Sequence, residues 1–571
     1  EAAGKSGGKT PAELAAEAAK KAKAWKTRRY QGRRTLWRIT GQPACKGCGR
    51  DLMDPESGAL YVQTAEGASV VLGMMHCARI WFCPVCSATI RQKRAEEITR
   101  AVVEWIKRGG TAYLVTLTPR HDYRDDLADL MDAIQGSRGG TEAEIKAARA
   151  ERDAARDAVT AARDARKAAA KAASAAAPKG SKRAAAAAAR DAAAPAEAAA
   201  ARRLADARTE LAGTQRQAGA YQRLITGGVW AGDDRETSEN GQIGIRGRIG
   251  YVGMIRATEL TVGTTNLWHP HIHAIVLVGG SLASDLEGVR VLGDTFEVDP
   301  QDLEAWENHW RATWTNHLQK TNPKYRPSDQ CGIPDCKCDG KGHGVDFKRL
   351  KTARDAKQLG EYIAKTQDGK SPALELARGD MKTGRQGNMT PFEVLYRIGD
   401  LMGGTAPDDP EVPGQGSLEW CLGVWHGYER AMPGRRAIEW TRGLRTLLGI
   451  EGDDTEDGDK DLLLEADGDA EFRGGAAVTE DGVTALVRRG LDLEAVQAAE
   501  GKDANTDPDA VADRLRAVLD IAQAPAGSVR PLTGAEVSEA WSAIRDRTAQ
   551  RREDARKRRA RDAERDADQR P

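Results

Sequence analysis

A strand-forming run with histidines at alternate positions constrains this chain more than any other feature. Trp268-His269-Pro270-His271-Ile272-His273-Ala274-Ile275-Val276-Leu277-Val278 ends in β-branched and aliphatic residues and stops at Gly279-Gly280, the pattern of a buried strand. Alternation puts His271 and His273 on one face and turns Ile272 to the other. Two imidazoles side by side on a rigid strand are arranged to grip a divalent metal. The bland alternative is a pair of satisfied core histidines. The preceding run, Tyr251 to Val262, is also strand-like, and Gly263-Thr264-Thr265-Asn266 supplies a turn. A hairpin centred near Thr265 sets Glu259 opposite His271, where its carboxylate completes the metal site. A one-residue slip makes it an ordinary solvated strand residue instead.

Downstream, Val345-Asp346-Phe347-Lys348-Arg349-Leu350 reads as another strand, leading into a helix across Ala353 to Thr366. On that helix Tyr362 and Lys365 stand three apart and share a face, while Leu359 and Ile363 form the buried stripe. Alone, a tyrosine beside a lysine is usually a half-buried aromatic. Beside a two-histidine metal strand the pair suggests phosphoryl transfer with tyrosine as nucleophile. A phenol near its free pKa of about 10 attacks poorly without help. A metal polarising a phosphodiester oxygen supplies that help, and Lys365 is placed to hold phosphate or offset charge.

Three stretches now carry a resemblance. Thr116-Leu117-Thr118-Pro119-Arg120-His121 at a strand end, the histidine run, and Glu361-Tyr362-Ile363-Ala364-Lys365 resemble the three ordered motifs of the HUH endonucleases. The likeness is strongest to the rolling-circle replication initiators of actinobacterial plasmids. It spans roughly Cys45 to Ile450. It implies a central antiparallel sheet with flanking helices, a Mg²⁺ or Mn²⁺ cofactor, and a nick in one strand of plasmid origin DNA, met single-stranded or as a hairpin. Tyr362 would hold the 5′-phosphate and leave a 3′-hydroxyl to prime synthesis, with a host helicase as partner. Some related initiators carry a glutamate four residues before the tyrosine. Here that residue is Gln358, and Glu361 points about 100° round the helix.

The remainder is organised around this unit. At 571 residues the chain is expected to hold roughly two to four domains. Formal net charge is only +1, so a DNA-binding surface must come from local segregation of charge. No stretch has the apolar length of a membrane span and the start has no secretory pattern. Several of the nine cysteines stand in Cys-x-x-Cys spacing, which points to metal thiolates in a reducing cytoplasm.

Residues 1–40 read as a basic arm in which Arg28, Arg29, Arg33 and Arg34 alternate with Trp25, Tyr30 and Trp37, a composition suited to phosphate contact and base stacking or to a solvated arm. Residues 41–108 read as a zinc module: Cys45, Cys48, Cys83 and Cys86 are a tetrahedral thiolate set, with His76 and Cys77 as spare candidates. Arg91, Lys93 and Arg94 follow on a helix placed for duplex docking.

Residues 109–390 are the expected endonuclease domain, with His121 in a supporting or surface role and Lys348 as a further DNA contact. Within it, 37 of the residues 141–220 are alanine, which favours helix strongly. The turn at Pro178-Lys179-Gly180-Ser181 makes a hairpin whose arms are about 50 Å long, read as a DNA clamp, a partner arm or, preferably, a neutral insertion. Trp306, Trp310 and Trp314 form a stripe that is more often core than platform. Cys331, Cys336, Cys338 and His343 are a second zinc set.

Residues 391–450 read as a helical DNA-binding extension in which Trp425, Tyr428 and Trp440 pack and Arg435, Arg436, Arg442 and Arg445 face DNA. Residues 451–475 are an acidic linker, and 476–571 a helical C-terminal region with a charged tail.

The expected fold class is therefore α+β. The expected function is metal-dependent, site-specific cleavage and rejoining of one DNA strand. A conjugative relaxase or single-strand transposase would use the same residues. A non-enzymatic zinc-dependent DNA-binding regulator would keep the histidines for structure.

Overall fold

The computed structural model describes all but residues 1–10, 65–67, 138, 141, 215–216, 233–242, 264–266, 280–295, 332–341, 351–387, 405–415, 453–457, 461, 465–471, 502–503, 505–506, 508 and 569–571. The expected tyrosine helix, with Tyr362 and Lys365, lies outside the described residues, as do Cys336 and Cys338. Two compact units divide the chain: Glu1–Arg124 with Arg246–Leu303 and Val345–Pro571, and Asp125–Ile245 with Glu304–Gly344.

The first unit holds nine strands among the described residues: β1 (Ala59–Thr64), β2 (Ser69–Leu72), β3 (Thr111–Leu117), β4 (Tyr251–Gly263), β5 (Leu267–Val278), β6 (Val345–Leu350), β7 (Ile438–Trp440), β8 (Phe472–Val478) and β9 (Val529–Thr533). They form two antiparallel sheets, ordered β6-β3-β5-β4-β7 and β2-β1-β8-β9. In the five-stranded sheet β4 and β5 pair with Gly263 opposite Leu267 and Glu259 opposite His271, so the hairpin is centred on position 265. Ile275 and Leu277 of β5 and Ala112 and Leu114 of β3 face one core. Ile98, Val102 and Trp105 of the helix Pro84–Lys107 fill it from outside. Trp105 also donates from its indole nitrogen to the Val278 carbonyl at 2.9 Å. On β5 the parity of that core face continues through His273 and His271, so the histidines stand where the packed face runs out. Pairing with β3 ends at Ile272, which leaves Pro270 on a stretch where its missing N–H interrupts no ladder with β3.

The structure corrects the expected C-terminal domain. Residues beyond 471 are not a separate helical region. β8 and β9 complete the sheet begun by β1 and β2, and Gly475 sits there because a Cβ would meet the Tyr61 carbonyl oxygen at 2.3 Å. Within the region expected to be helical, Gly490, with a φ of 67°, closes one helix before Asp492–Ala498 begins. The charged tail is likewise anchored: Val537, Trp541 and Ile544 pack on this sheet, and Arg547 and Arg551 donate to the fully buried Asp54. Residues 391–450 are corrected too. After helices Pro391–Met402 and Leu418–Ala431 they supply β7, an edge of the five-stranded sheet.

The second unit is helical. Trp306, Trp310 and Trp314 are all fully buried there, with Trp306 and Trp310 meeting edge to face. Helices Glu142–Ala176 and Lys182–Thr214 form the Ala-rich hairpin, the second continuing through Pro195. Arg163 and Arg166 pair with Glu197, and Arg203 with Glu151, across the two arms.

Candidate functional site

At the open end of β5 three side chains converge. Glu259 Oε2 lies 2.8 Å from His271 Nε2 and 3.0 Å from His273 Nε2. All three ligand atoms lie within 4.8 Å of one another, with Glu259 and His273 buried and His271 half-buried. The spacing suits one ion, since cis ligands on an octahedral centre with bonds of ~2.1 Å lie about 3.0 Å apart. The donor chemistry agrees, because two imidazoles and a carboxylate are ligands for a borderline divalent cation. The supporting contact comes from β3: Thr116 Oγ1 is 3.1 Å from His273 Nδ1, and Thr116 lies directly opposite His273 in the sheet. With Nε2 turned to an ion, Nδ1 carries the proton and donates to that hydroxyl, which holds the ring's tautomer and orientation.

Sequence reasoning overlooked His269, although it shares the parity of His271 and His273. Its Nδ1 lies 2.8 Å from His121 Nε2, and His121 Nδ1 lies 3.0 Å from the Pro119 carbonyl oxygen. A carbonyl only accepts, so His121 donates from Nδ1; in the neutral ring its Nε2 then accepts from His269 Nδ1. His269 Nε2 therefore stays unprotonated. Burial, with His121 and His271 close by, pushes the His269 pKa down to about 4, so the His269 ring is neutral at neutral pH.

A second cluster lies in the same unit. Cys48 Sγ is 3.5 Å from Cys86 and 3.6 Å from Cys83, and Cys77 Sγ is 3.8 Å from Cys86. A tetrahedral Zn²⁺ with Zn–S bonds of ~2.3 Å spaces its sulfurs by about 3.8 Å, so these four fit such an ion. The fourth member of the set is thus Cys77 rather than Cys45, a correction to the paired-spacing assignment. Cys45 sits in the short helix Pro43–Gly47, its sulfur 3.9 Å from Cys77, while Cys48 caps that helix and reaches the others. His76 Nδ1 stands 3.9 Å from Cys86. Of the expected second set, Cys331 Sγ and His343 Nε2 lie 3.2 Å apart.

The expected DNA-contacting arginines mostly hold the fold together. Arg28 pairs with Asp400, Arg33 and Arg34 with Asp492, and Arg94 with Glu97 and Asp459. Arg91 is buried, donating to Ser87 beneath the ring of Trp81. Arg445 forks onto both oxygens of Glu97 at 3.0 Å, and Arg435 donates to the Ala431 carbonyl. For Arg33, Arg91, Arg94, Arg435 and Arg445 the assignment to DNA is corrected, because these side chains are buried within the fold; Arg28 and Arg34 are partly exposed beside their carboxylates. Arg29 and Lys93 are half-buried, and Lys348 is exposed on edge strand β6.

Comparison with known proteins adds a relationship over nearly the whole chain. It is 51% identical over 502 residues to the protein named "Protein rep" of Streptomyces lividans, covering 87% of this chain and 91% of the relative. It is 34% identical over 513 residues to the "Neomycin resistance protein" of Streptomyces cyanogenus, covering 90% and 98%. No family model matches the chain, and no solved structure matches it.

Proposed function

The chain belongs to the replication-protein family of Streptomyces lividans Protein rep, and on that premise we propose that it starts rolling-circle replication of a plasmid by nicking and rejoining one origin strand. The observation that carries the reading is the convergence of Glu259, His271 and His273 at the end of β5. These three would hold Mn²⁺ or Mg²⁺, the nitrogen donors favouring Mn²⁺. When bound, the ion would polarise a non-bridging oxygen of the scissile phosphate.

The chain's own residues do the rest. Thr116 keeps the His273 ring aimed. Tyr362 Oη attacks phosphorus while the bond to the 3′ oxygen breaks. The phenol proton passes to solvent, and the departing oxygen takes one up as a 3′-hydroxyl. Lys365 offsets charge on the phosphoryl oxygens. The 5′-phosphotyrosine conserves the phosphodiester, so attack by a 3′-hydroxyl reseals the strand without a nucleotide. Relaxases and single-strand transposases share this chemistry, and family membership is what selects replication.

The test is a supercoiled plasmid carrying the cognate origin, incubated with the full chain and Mn²⁺. Open circles with protein on the 5′ end of one unique nick are expected. A protein that binds the origin yet leaves it intact at every Mn²⁺ concentration is instead the non-enzymatic regulator.

The thiol cluster supports a structural Zn²⁺ held by Cys48, Cys77, Cys83 and Cys86, a closed set with no open position for chemistry. Elemental analysis of purified protein should find zinc, retained in Cys45→Ser and lost in Cys77→Ser. Cys77→Ser should also melt earlier, because zinc binding is folding free energy here. The opposite pattern, zinc lost only from Cys45→Ser, would restore Cys45 as the ligand.

A further inference from the structure

The Ala-rich hairpin is not evenly charged. Between Asp164 on the first arm and Asp191 on the second there are seven basic residues and no acidic one, whereas the rest of 142–214 holds eight basic and ten acidic. The ion pairs follow that division. Glu151 and Glu197 engage Arg203, Arg163 and Arg166, and Asp164 lies 3.4 Å from Lys167. Beyond them Lys171, Lys179, Lys182, Arg183 and Arg190 are exposed and pair with no carboxylate among the described residues. The turn itself is open, with Gly180 at φ 114° and nothing within 4 Å of the position a Cβ would take.

Self-repulsion at such a tip is tolerated most readily where an anionic partner relieves it. We infer that the distal third of this hairpin is a docking surface for the phosphate backbone of duplex DNA, gripping it without regard to sequence. Alanine fills the positions between the cations, so lysine and arginine are the groups that reach outward. At 1.5 Å per residue the cations spread along about 16 Å of the arms. One strand of duplex DNA presents a phosphate per ~3.4 Å, about five over the same distance, which matches the five exposed cations. Two helices packed side by side measure roughly 18–20 Å across, wider than the ~12 Å major groove. The tip must therefore lie across phosphates and cannot read base edges as a single inserted helix does. This choice of polyanion rests on the replication reading, but the grip is measured without any nicking.

The test compares the full chain with a variant carrying Lys167→Gln, Lys171→Gln, Lys179→Gln, Lys182→Gln, Arg183→Gln and Arg190→Gln. Glutamine keeps helix propensity, and circular dichroism checks the arm. Binding to a 30-base-pair duplex lacking the origin is followed from 50 to 200 mM salt. The slope of log affinity against log salt should fall by about 4–5, and affinity at 100 mM by on the order of 10²-fold or more. Nicking of a short single-stranded origin oligonucleotide should not change, so a chain inactive in that assay can still pass this one. Unchanged slope and affinity would overturn the inference. So would a variant that keeps the duplex but loses polyglutamate, since the face would then suit an acidic protein. If the variant does not fold, acetylation of Lys171, Lys179 and Lys182 in the unaltered chain decides: duplex should protect them, and equal reactivity with and without it refutes the docking surface.

Discussion

Replacing His271 and His273 together by alanine is expected to lower origin nicking by about 10³-fold or more, since a Lewis-acid ion supplies several kcal/mol and each ~1.4 kcal/mol is tenfold in rate. Origin binding should persist, because both rings stand where the sheet's apolar core ends and pairing with β3 stops one residue beyond His273. Calorimetric titration of Mn²⁺ should show one tight site in the unaltered chain and none in the double variant. Brief treatment with EDTA should stop nicking, and excess Mn²⁺ should restore it without added zinc, since the thiol cluster would hold its ion by four buried sulfurs. Thr116→Val, which removes only the hydroxyl beside His273 Nδ1, should weaken Mn²⁺ binding by about 10–100-fold. A double variant that nicks at full rate would remove the metal role from these histidines.

This site was legible in the sequence because each of its determinants is local. The histidines share a face by parity on one strand, and Glu259 follows from a turn of a few residues that sets the register. His269 was equally legible by that parity, since it stands two residues before His271 on the same strand. The arginines were not legible. Arg33, Arg94 and Arg28 meet carboxylates 459, 365 and 372 positions away, and no window along the chain reveals such a partner. Read locally, a basic stripe with aromatics looks like a nucleic-acid surface; in the fold it ties the first helix to distant parts of the same unit. Cys77 was ranked behind Cys45 for a related reason. Paired Cys-x-x-Cys spacing nominates Cys45, whereas the folded chain brings Cys77 closer to Cys83 and Cys86 than spacing can indicate. β8 falls across the boundary between the expected acidic linker and the helical region because Gly474 and Gly475 lower its strand propensity, yet the close approach of Tyr61 requires glycine at 475. The hairpin was clear in outline, since alanine sets its helicity, but its segregated charge emerges only when acidic and basic positions are mapped onto the two arms.

Tyr362→Phe is expected to abolish both the nick and the covalent adduct, a loss of about 10⁴-fold or more when a nucleophile is deleted, while leaving zinc content, Mn²⁺ binding and duplex affinity unchanged. The ten tyrosines of the chain are not equal candidates. Tyr61, Tyr113, Tyr221, Tyr251, Tyr325, Tyr396 and Tyr428 are buried. Burial pushes the phenols of Tyr251 and Tyr325 up to about 12 and that of Tyr428 higher still, so a phenolate there is costlier than at an exposed site. Tyr30 is half-buried beneath the Arg33 guanidinium. That leaves Tyr123 as the competitor: it is exposed, and it follows His121, whose ring contacts His269. The two can be separated cleanly. Tyr123→Phe should nick at the rate of the unaltered chain, because an arginine-rich turn supplies no lysine at i+3 and no helix to aim the hydroxyl. Trapping the adduct on a short origin strand and sequencing the modified peptide by mass spectrometry decides between them. A DNA remnant on Tyr362 supports the phosphotyrosine mechanism as assigned. A remnant on Tyr123, with Tyr362→Phe still active, would move the nucleophile to the loop after β3 while leaving Glu259, His271 and His273 as the metal site.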